Sequence, residues 1–360
     1  MKHIICFHLF NDYSGSPKIL KMVIDGLSKQ ETKIDLITSK GGILDEINHV
    51  NVKHHYYRYK FSSNPIITMA RYITIQIYTF LFAFKYLFLK DTIFYINTLL
   101  PLGPAIAGRI MRKHVIYHYH ENAAIKGAFY NFLSWCMQKL ACDIICVSEY
   151  QSSFLKRKSN VIIVPNALPE EFTRKLKINI SDAFDQKAIM MLSSLKAYKG
   201  TLEFINLAEK LPTYNFILII NDTQNNINLY LNKIKKKTPN NLKIYPRQSE
   251  VSSFYNSASI VLNLSNKNLV IETFGLTSLE AMSAGLPVIV PTVGGIAELV
   301  EDDINGYKID VENLDKIANK IKEILSNKKL YSTLANNALT VSKKYSEQEM
   351  IKAIMNIINK

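Results

Sequence analysis

The chain has 360 residues, room for two domains of ordinary size. Hydrophobic residues make up 48% and charged residues 21%, a composition that fills cores and excludes both disorder and a small disulfide-stapled fold. The balance of 44 Lys and Arg against 30 Asp and Glu leaves a formal charge of +14, which points to an anionic partner: a phosphorylated substrate, a membrane surface or nucleic acid.

Cys6, Cys136, Cys142 and Cys146 form no C-x-x-C pair, so zinc-ribbon and thioredoxin chemistry lack their spacing. The N-terminus passes straight into a short apolar run, with no extended apolar stretch leading to a cleavage site. The expectation is a chain without a signal peptide, in a reducing cytoplasm.

In chain order, residues 4–7, 34–38, 52–59, 92–96, 115–119, 144–147 and 161–164 read as strands. Residues 18–28, 104–111 and 127–140 between them read as helices. Continuous apolar strands separated by helices are the pattern of a parallel sheet covered on both faces. Residues 72–89 (YITIQIYTFLFAFKYLFL) reach about the minimum length of a membrane span, but Gln76 and Lys85 interrupt them and Arg71 and Lys90 bracket them. They are expected as one long helix against a sheet, with a helix lying on a membrane surface as the alternative. Residues 165–187 hold two prolines, many charges and no period, which reads as a linker. Strands resume at 189–192, 216–220, 242–245, 260–264 and 288–290, with helices at 202–211, 229–236, 252–258 and 279–284. The tail from about residue 315 is helical, with a break near Tyr345 and Ser346. The expected organisation is therefore α/β: domain 1–167, linker 168–187, domain 188–344 and a C-terminal helix 345–360 packing back on the first domain. Two doubly wound domains facing each other would form a cleft, with sites outside the carboxyl ends of the strands.

The chemistry concentrates in residues 270–287, VIETFGLTSLEAMSAGLP. Gly275 lacks a Cβ, so backbone there can approach a ligand. A helix starting just after it would present free N–H groups and a positive dipole end to a phosphate. Glu272 ahead of that helix and Glu280 within it would stand about 10 Å apart by helical rise, a span that suits a nucleotide-sugar. The structural alternative for Glu280 is a capping box, Thr277-Ser278-Leu279-Glu280. For Glu272 it is a solvated loop carboxylate.

That string resembles the E-x7-E signature of the family 4 glycosyltransferases, which have the two-domain GT-B fold. Pro291-x-x-Gly294-Gly295-x-x-Glu298 followed by Asn305-Gly306 resembles the family's next turns. Tyr198-Lys199-Gly200 resembles its donor-phosphate motif, and Pro165-Asn166 its "P-N" at the end of the N-terminal domain. His118-Tyr119-His120-Glu121 follows a strand where the family places an active-site histidine. The C-terminal half matches in motifs, the N-terminal half mainly in layout. The resemblance implies that Glu280 holds the ribose and that Glu272 contacts the transferred sugar. The amides of Phe274, Gly275 and Leu276 would meet the diphosphate and sugar. Lys199 would neutralise the departing phosphate. His120 would sit over the donor sugar, with His118 packed beneath it on the same sheet face.

Two departures stand out. Ser193-Ser194 replaces the family's Gly-Arg pair, leaving Lys196 or Arg247 as substitutes for the arginine fork. Tyr13-Ser14-Gly15-Ser16-Pro17 replaces a paired-glycine loop; Gly15 and Ser16 could still offer backbone donors, with Pro17 suited to the first helical position. No two aspartates stand at i and i+2, so the D-x-D metal element is missing, and neither a metal nor a cofactor is expected.

The resulting expectation is a metal-independent, retaining glycosyltransferase. It would move a sugar from a nucleoside-diphosphate donor to a hydroxyl of a glycan or lipid-linked acceptor, as in surface-polysaccharide biosynthesis. It would work in the cytoplasm, in peripheral contact with the inner face of the membrane. A sugar-nucleotide epimerase of the same fold is the alternative. A nucleic-acid partner is disfavoured, because the lysines are scattered and no RRM, KH or zinc pattern occurs. Ser14-Gly15-Ser16 is not the G-x-G-x-x-G of a nicotinamide enzyme.

Overall fold

The structure is a computed structural model that describes residues 2–30, 32–156 and 158–360. The chain divides into two compact units, Met1–Asn166 with Glu347–Lys360, and Ala167–Ser346.

The first unit is built on β1 (His3–Phe7), α1 (Gly15–Ser28), β2 (Lys33–Ser39), β3 (Val52–Tyr57), α2 (Pro65–Ala83), β4 (Thr92–Asn97), α3 (Leu102–Ile110), β5 (His114–Tyr119), α4 (Ala128–Leu140), β6 (Asp143–Cys146), α5 (Glu149–Ser153) and β7 (Val161–Ile163). Its seven strands are all parallel, in the order β3-β2-β1-β4-β5-β6-β7. Every residue of β1 and β4 is buried, as strands covered on both faces must be. Ile19, Leu20, Val23, Ile24 and Leu27 recur at helical spacing and form the buried stripe of α1. Each such side chain contributes about 1.5–3 kcal/mol of burial.

The second unit contains α6 (Glu170–Arg174), α7 (Ile180–Gln186), β8 (Ala188–Ser193), α8 (Thr201–Lys210), β9 (Asn215–Ile220), α9 (Gln224–Ile234), β10 (Leu242–Tyr245), α10 (Ser252–Asn256), β11 (Ile260–Leu262), α11 (Leu276–Ser283), β12 (Val288–Val290), α12 (Gly295–Glu298), β13 (Gly306–Lys308), α13 (Leu314–Ser326) and α14 (Lys328–Ser342). Its six parallel strands run β10-β9-β8-β11-β12-β13. The last helix, α15 (Glu347–Ile358), belongs to the first unit and lies against α1. There the absent side chain of Gly26 leaves room for Ile351, whose carbons would stand 2.7 Å from a Cβ.

Three local expectations are corrected. Residues 168–187 are not a bare linker: α6 and α7 lie there, inside the second unit. Asn179 caps α7 by accepting from the Asp182 amide, and Phe184 packs its ring 5.2 Å from Tyr331. Helices of five and seven residues are too short to show a period in sequence. The long apolar helix begins at Pro65 rather than residue 72, because Asn64 caps it and Pro65 takes the first position. It ends at Ala83 in a short 3-10 turn, Phe84–Tyr86. Only Tyr72, Ile75, Thr79 and Ala83 of α2 are buried, so most of its apolar surface faces outward. Finally, α1 starts at Gly15, which makes Pro17 its third residue, still within the turn whose N–H groups lack helical partners.

Candidate functional site

In each sheet the strand order reverses once, between β1 and β4 and between β8 and β11. Adjacent loops leave in opposite directions at such a point and open a crevice outside the carboxyl ends. The candidate residues gather at both places.

In the second unit, β8 ends at Ser193 and the chain turns through Ala197–Lys199 into α8. Gly200 makes that turn at φ +70, and a Cβ there would collide with the Leu264 carbonyl, so only glycine fits. The turn brings Lys199 into an ion pair with Oε1 of Glu272. The same oxygen accepts from Ser265 Oγ at 2.8 Å. Burial acts to lower the Lys199 pKa, but the Glu272 carboxylate outweighs it and the net shift is upward. For Glu272, burial acts upward and is outweighed by the Lys199 charge, so its pKa falls. Both groups therefore stay charged. Gly295 donates its amide to the Glu272 carbonyl at 2.9 Å, and a Cβ on Gly294 would stand 2.5 Å from that oxygen. The glycine pair thus lets one loop close on another and fixes Glu272.

Phe274 is buried with its ring 5.8 Å from Tyr345. Gly275, at φ +100 and against the Ile296 side chain, caps α11. Because Gly275 is the cap, Thr277 and Ser278 lie inside the helix and the capping-box reading of Glu280 fails on register. Glu280 Oε2 instead accepts from the buried Tyr255 hydroxyl at 2.5 Å. Burial first, then the Glu280 charge, pushes the Tyr255 pKa well above the usual phenol value, so this hydroxyl donates throughout the physiological range. Ser193 Oγ is spent holding the loop, on Thr201 Oγ1 at 2.9 Å, whereas Ser194 Oγ is buried with no hydrogen-bond partner. Of the two substitutes for an arginine, Lys196 adds its charge to the environment of Glu272. Arg247 is occupied at Asn221, 2.7 Å away. Asn305 serves its own turn, accepting from the Glu301 amide and donating to the Leu299 carbonyl, both at 2.8 Å.

In the first unit, Asn97 at the end of β4 ties three elements together. Its Nδ2 donates to His8 Nδ1 at 3.0 Å and to the Ser16 carbonyl at 3.3 Å, and its Oδ1 lies 3.0 Å from His120 Nε2. An amide oxygen only accepts, so His120 carries its proton on Nε2, leaving Nδ1 as the acceptor nitrogen of the ring. By the same logic His8 donates from Nε2 to the Phe10 carbonyl at 2.8 Å. His118 is fully buried beneath His120, with ring centroids 4.1 Å apart, and its Nδ1 meets the Tyr95 hydroxyl at 2.7 Å. Burial lowers the pKa of His8 to about 4 and that of His118 to about 3. It lowers His120 well below 6.5, helped by the other two rings. All three are neutral at pH 7. Glu121 is buried and accepts from the Leu99 amide at 3.1 Å. Gly15 stands exposed at the start of α1, where the Asp12 carboxylate accepts from the Ser14 amide at 2.9 Å.

The structure thus brings Lys199 to Glu272, and places Glu280 and the Phe274–Leu276 turn on the segment that follows. It brings His120 to Ser16 only through Asn97. Sequence reading missed Asn97, His8, Tyr255 and Ser265. The first two lie at strand ends beside the site, a position that could have flagged them; Tyr255 and Ser265 carry no local signal. Among the described residues no group of three or more His, Cys, Asp or Glu side chains gathers as a metal site.

Residues 173–341 match the family model for glycosyl transferases group 1. An uncharacterized glycosyltransferase of Methanocaldococcus jannaschii is 25% identical over 269 residues, 71% of each chain. The crystal structure of Anabaena HepE in complex with UDP-glucose superposes with a TM-score of 0.77 at 17% identity, covering 100% of both chains. Sucrose-phosphate synthase from Thermosynechococcus elongatus gives a TM-score of 0.80 at 15% identity, over 100% of this chain and 98% of that one. With two parallel doubly wound sheets the chain has the GT-B fold of these structures, and the unit that carries the E-x7-E segment at its switch point matches the group 1 glycosyl transferases.

Proposed function

We propose that this protein transfers a sugar from a nucleoside-diphosphate sugar to a hydroxyl of a lipid-linked or surface-glycan acceptor, with retention of configuration and without a metal ion or other cofactor. The observation that carries this reading is the Lys199–Glu272 pair beside the Gly275 turn, with Glu280 eight residues on. In that reading Glu280, oriented by Tyr255, accepts from the ribose diol. The diphosphate lies on the amides of Phe274, Gly275 and Leu276. The acceptor oxygen attacks the anomeric carbon on the face from which the diphosphate departs, and its proton passes to a leaving phosphate oxygen. Lys199 meets the charge that develops there, a fixed cation where negative charge grows. Glu272, released as Lys199 turns to the phosphate, takes the sugar hydroxyls. Gly15 and Ser16 offer amides to the donor, and His120 accepts from a sugar hydroxyl.

The bound UDP-glucose of HepE supports a nucleotide-sugar donor. The outward apolar face of α2 and the +14 balance support an acceptor carried on a membrane, and hence work at the inner face of the cell membrane. The test is thermal-shift screening with UDP, GDP, ADP and their sugars. A binder at 100 times its dissociation constant adds about 2.7 kcal/mol of apparent stability. A shift for one nucleotide that Glu280→Ala abolishes is the expected outcome. An unchanged shift in that variant sinks the ribose role.

A further inference from the structure

At the other end of the first unit's sheet, a cavity of about 710 Å3 opens beside the carboxyl ends of β2 and β3. Four cations, Lys40, Arg58, Lys60 and Arg71, and three tyrosines, Tyr56, Tyr57 and Tyr59, line it. The topology explains the gathering. Lys40 follows the last residue of β2, residues 58–60 follow β3, and Arg71 comes from α2. Arg71 Nη1 donates to the Lys60 carbonyl at 2.9 Å, which ties the helix to the loop.

The charge here is uncompensated. No Asp or Glu occurs between Glu46 and Asp91. Among the described residues none of the four cations pairs with a carboxylate. Asp45, the carboxylate beside Tyr56, is held by Asn11 Nδ2 at 3.0 Å and the Gly41 amide at 2.7 Å. Tyr57 spends its hydroxyl on the His8 and Leu9 carbonyls, both at 2.8 Å, so it is a fixed wall. Like charges held around a concave wall raise the local concentration of anions, and guanidinium forks match phosphate oxygens. An aromatic rim leads outward: the Tyr59 ring lies 5.4 Å from Phe61, itself 57% exposed. On α2, Ile67 stands one turn before Arg71 and is also exposed.

We propose that this cavity binds the phosphate or diphosphate ester of the acceptor. The word acceptor rests on the transferase reading above; the anion site does not. β3 and β5 are four strand spacings apart, about 19 Å. A molecule with its phosphate in this cavity and its reacting hydroxyl at His120 is therefore longer than a single sugar phosphate, as a phosphate-linked oligosaccharide is.

The experiment titrates the full chain with inorganic pyrophosphate at low salt in saturating UDP, for wild type and for Arg58→Ser/Arg71→Ser. Expected is at least a tenfold loss of pyrophosphate affinity in the double variant, with its UDP thermal shift and Tm unchanged. An affinity within twofold of wild type overturns the proposal. Co-sedimentation with phosphatidylglycerol vesicles, against phosphatidylcholine, separates the sources. Binding lost in the double variant and competed by pyrophosphate identifies a lipid headgroup. Vesicle binding untouched while pyrophosphate binding is lost identifies a soluble phosphate ester in the same cavity. A wild type that shows no shift with UDP, GDP, ADP or their sugars defeats the donor reading and leaves the pyrophosphate result standing.

Discussion

The two units hold their polar groups in opposite ways. The second holds a charged pair, Lys199 and Glu272, in loops shaped by glycines at 200, 275 and 294. The first holds three neutral histidines, two of them bonded to one asparagine and the third to Tyr95. Burial would neutralise an isolated ion, so the second unit keeps its charges only by pairing them. The first unit instead accepts burial and holds uncharged rings, with Asn97 fixing the tautomers of His8 and His120. A charged, glycine-framed site leaves marks in sequence at fixed spacing. A neutral network assembled from three strand ends does not.

The sharpest way to break this contrast is Lys199→Ala. It should lower kcat by about 10²–10³ in a donor-turnover assay, the cost of removing one preset group from a developing oxyanion. A loss below tenfold would make the pair structural.

Acid should strike the first unit through its histidines. Their folded pKa values lie below the unfolded 6.5, at about 4 for His8 and about 3 for His118. The unfolded chain therefore binds protons first as pH falls. The stability these rings contribute is complete above pH 6.5 and is lost progressively below it. Thermal melts from pH 7.5 to 4.5 should show Tm falling through that window, and a smaller fall in His8→Gln.

Asn97→Ala should cost about 1–3 kcal/mol for each buried ring nitrogen left unpaired. It should also lower kcat while leaving the nucleotide thermal shift unchanged, because the second unit is untouched. Gly275→Ala should cost roughly 1–3 kcal/mol from the left-handed backbone position, read as a lower urea midpoint. The smallest effect should come from Tyr255→Phe, a nucleotide affinity loss of ~1 kcal/mol, about fivefold, from removing one bond to Glu280. If Tyr255→Phe cost more than Lys199→Ala, the roles assigned to the two carboxylates would have to be exchanged.

Much of the molecule was legible from local pattern. Strand positions in both sheets other than β13, the Lys199-Gly200 turn and the E-x7-E segment are short-range features, fixed by side-chain period and by glycine backbone freedom, whereas the three-residue β13 is too short to show a period. The start of α2 was misread, since Asn64-Pro65 is a capping signal outside the apolar run. So was the function of residues 168–187, where two short helices gain stability from contacts such as Phe184 on Tyr331 that local sequence does not contain.

By itself the sequence determined the two-sheet class, the parallel order of strands and helices, and the acidic and glycine positions of the second unit, because these follow from periodicity and backbone sterics over a few residues. Tertiary structure alone decided that Glu280 meets Tyr255 rather than its own helix start, that Asn97 joins His8 to His120, and that Lys40, Arg58, Lys60 and Arg71 share one cavity wall. The hydrogen-bonded pairs among these join residues 23 to 89 positions apart, and only the closing of a sheet sets such distances.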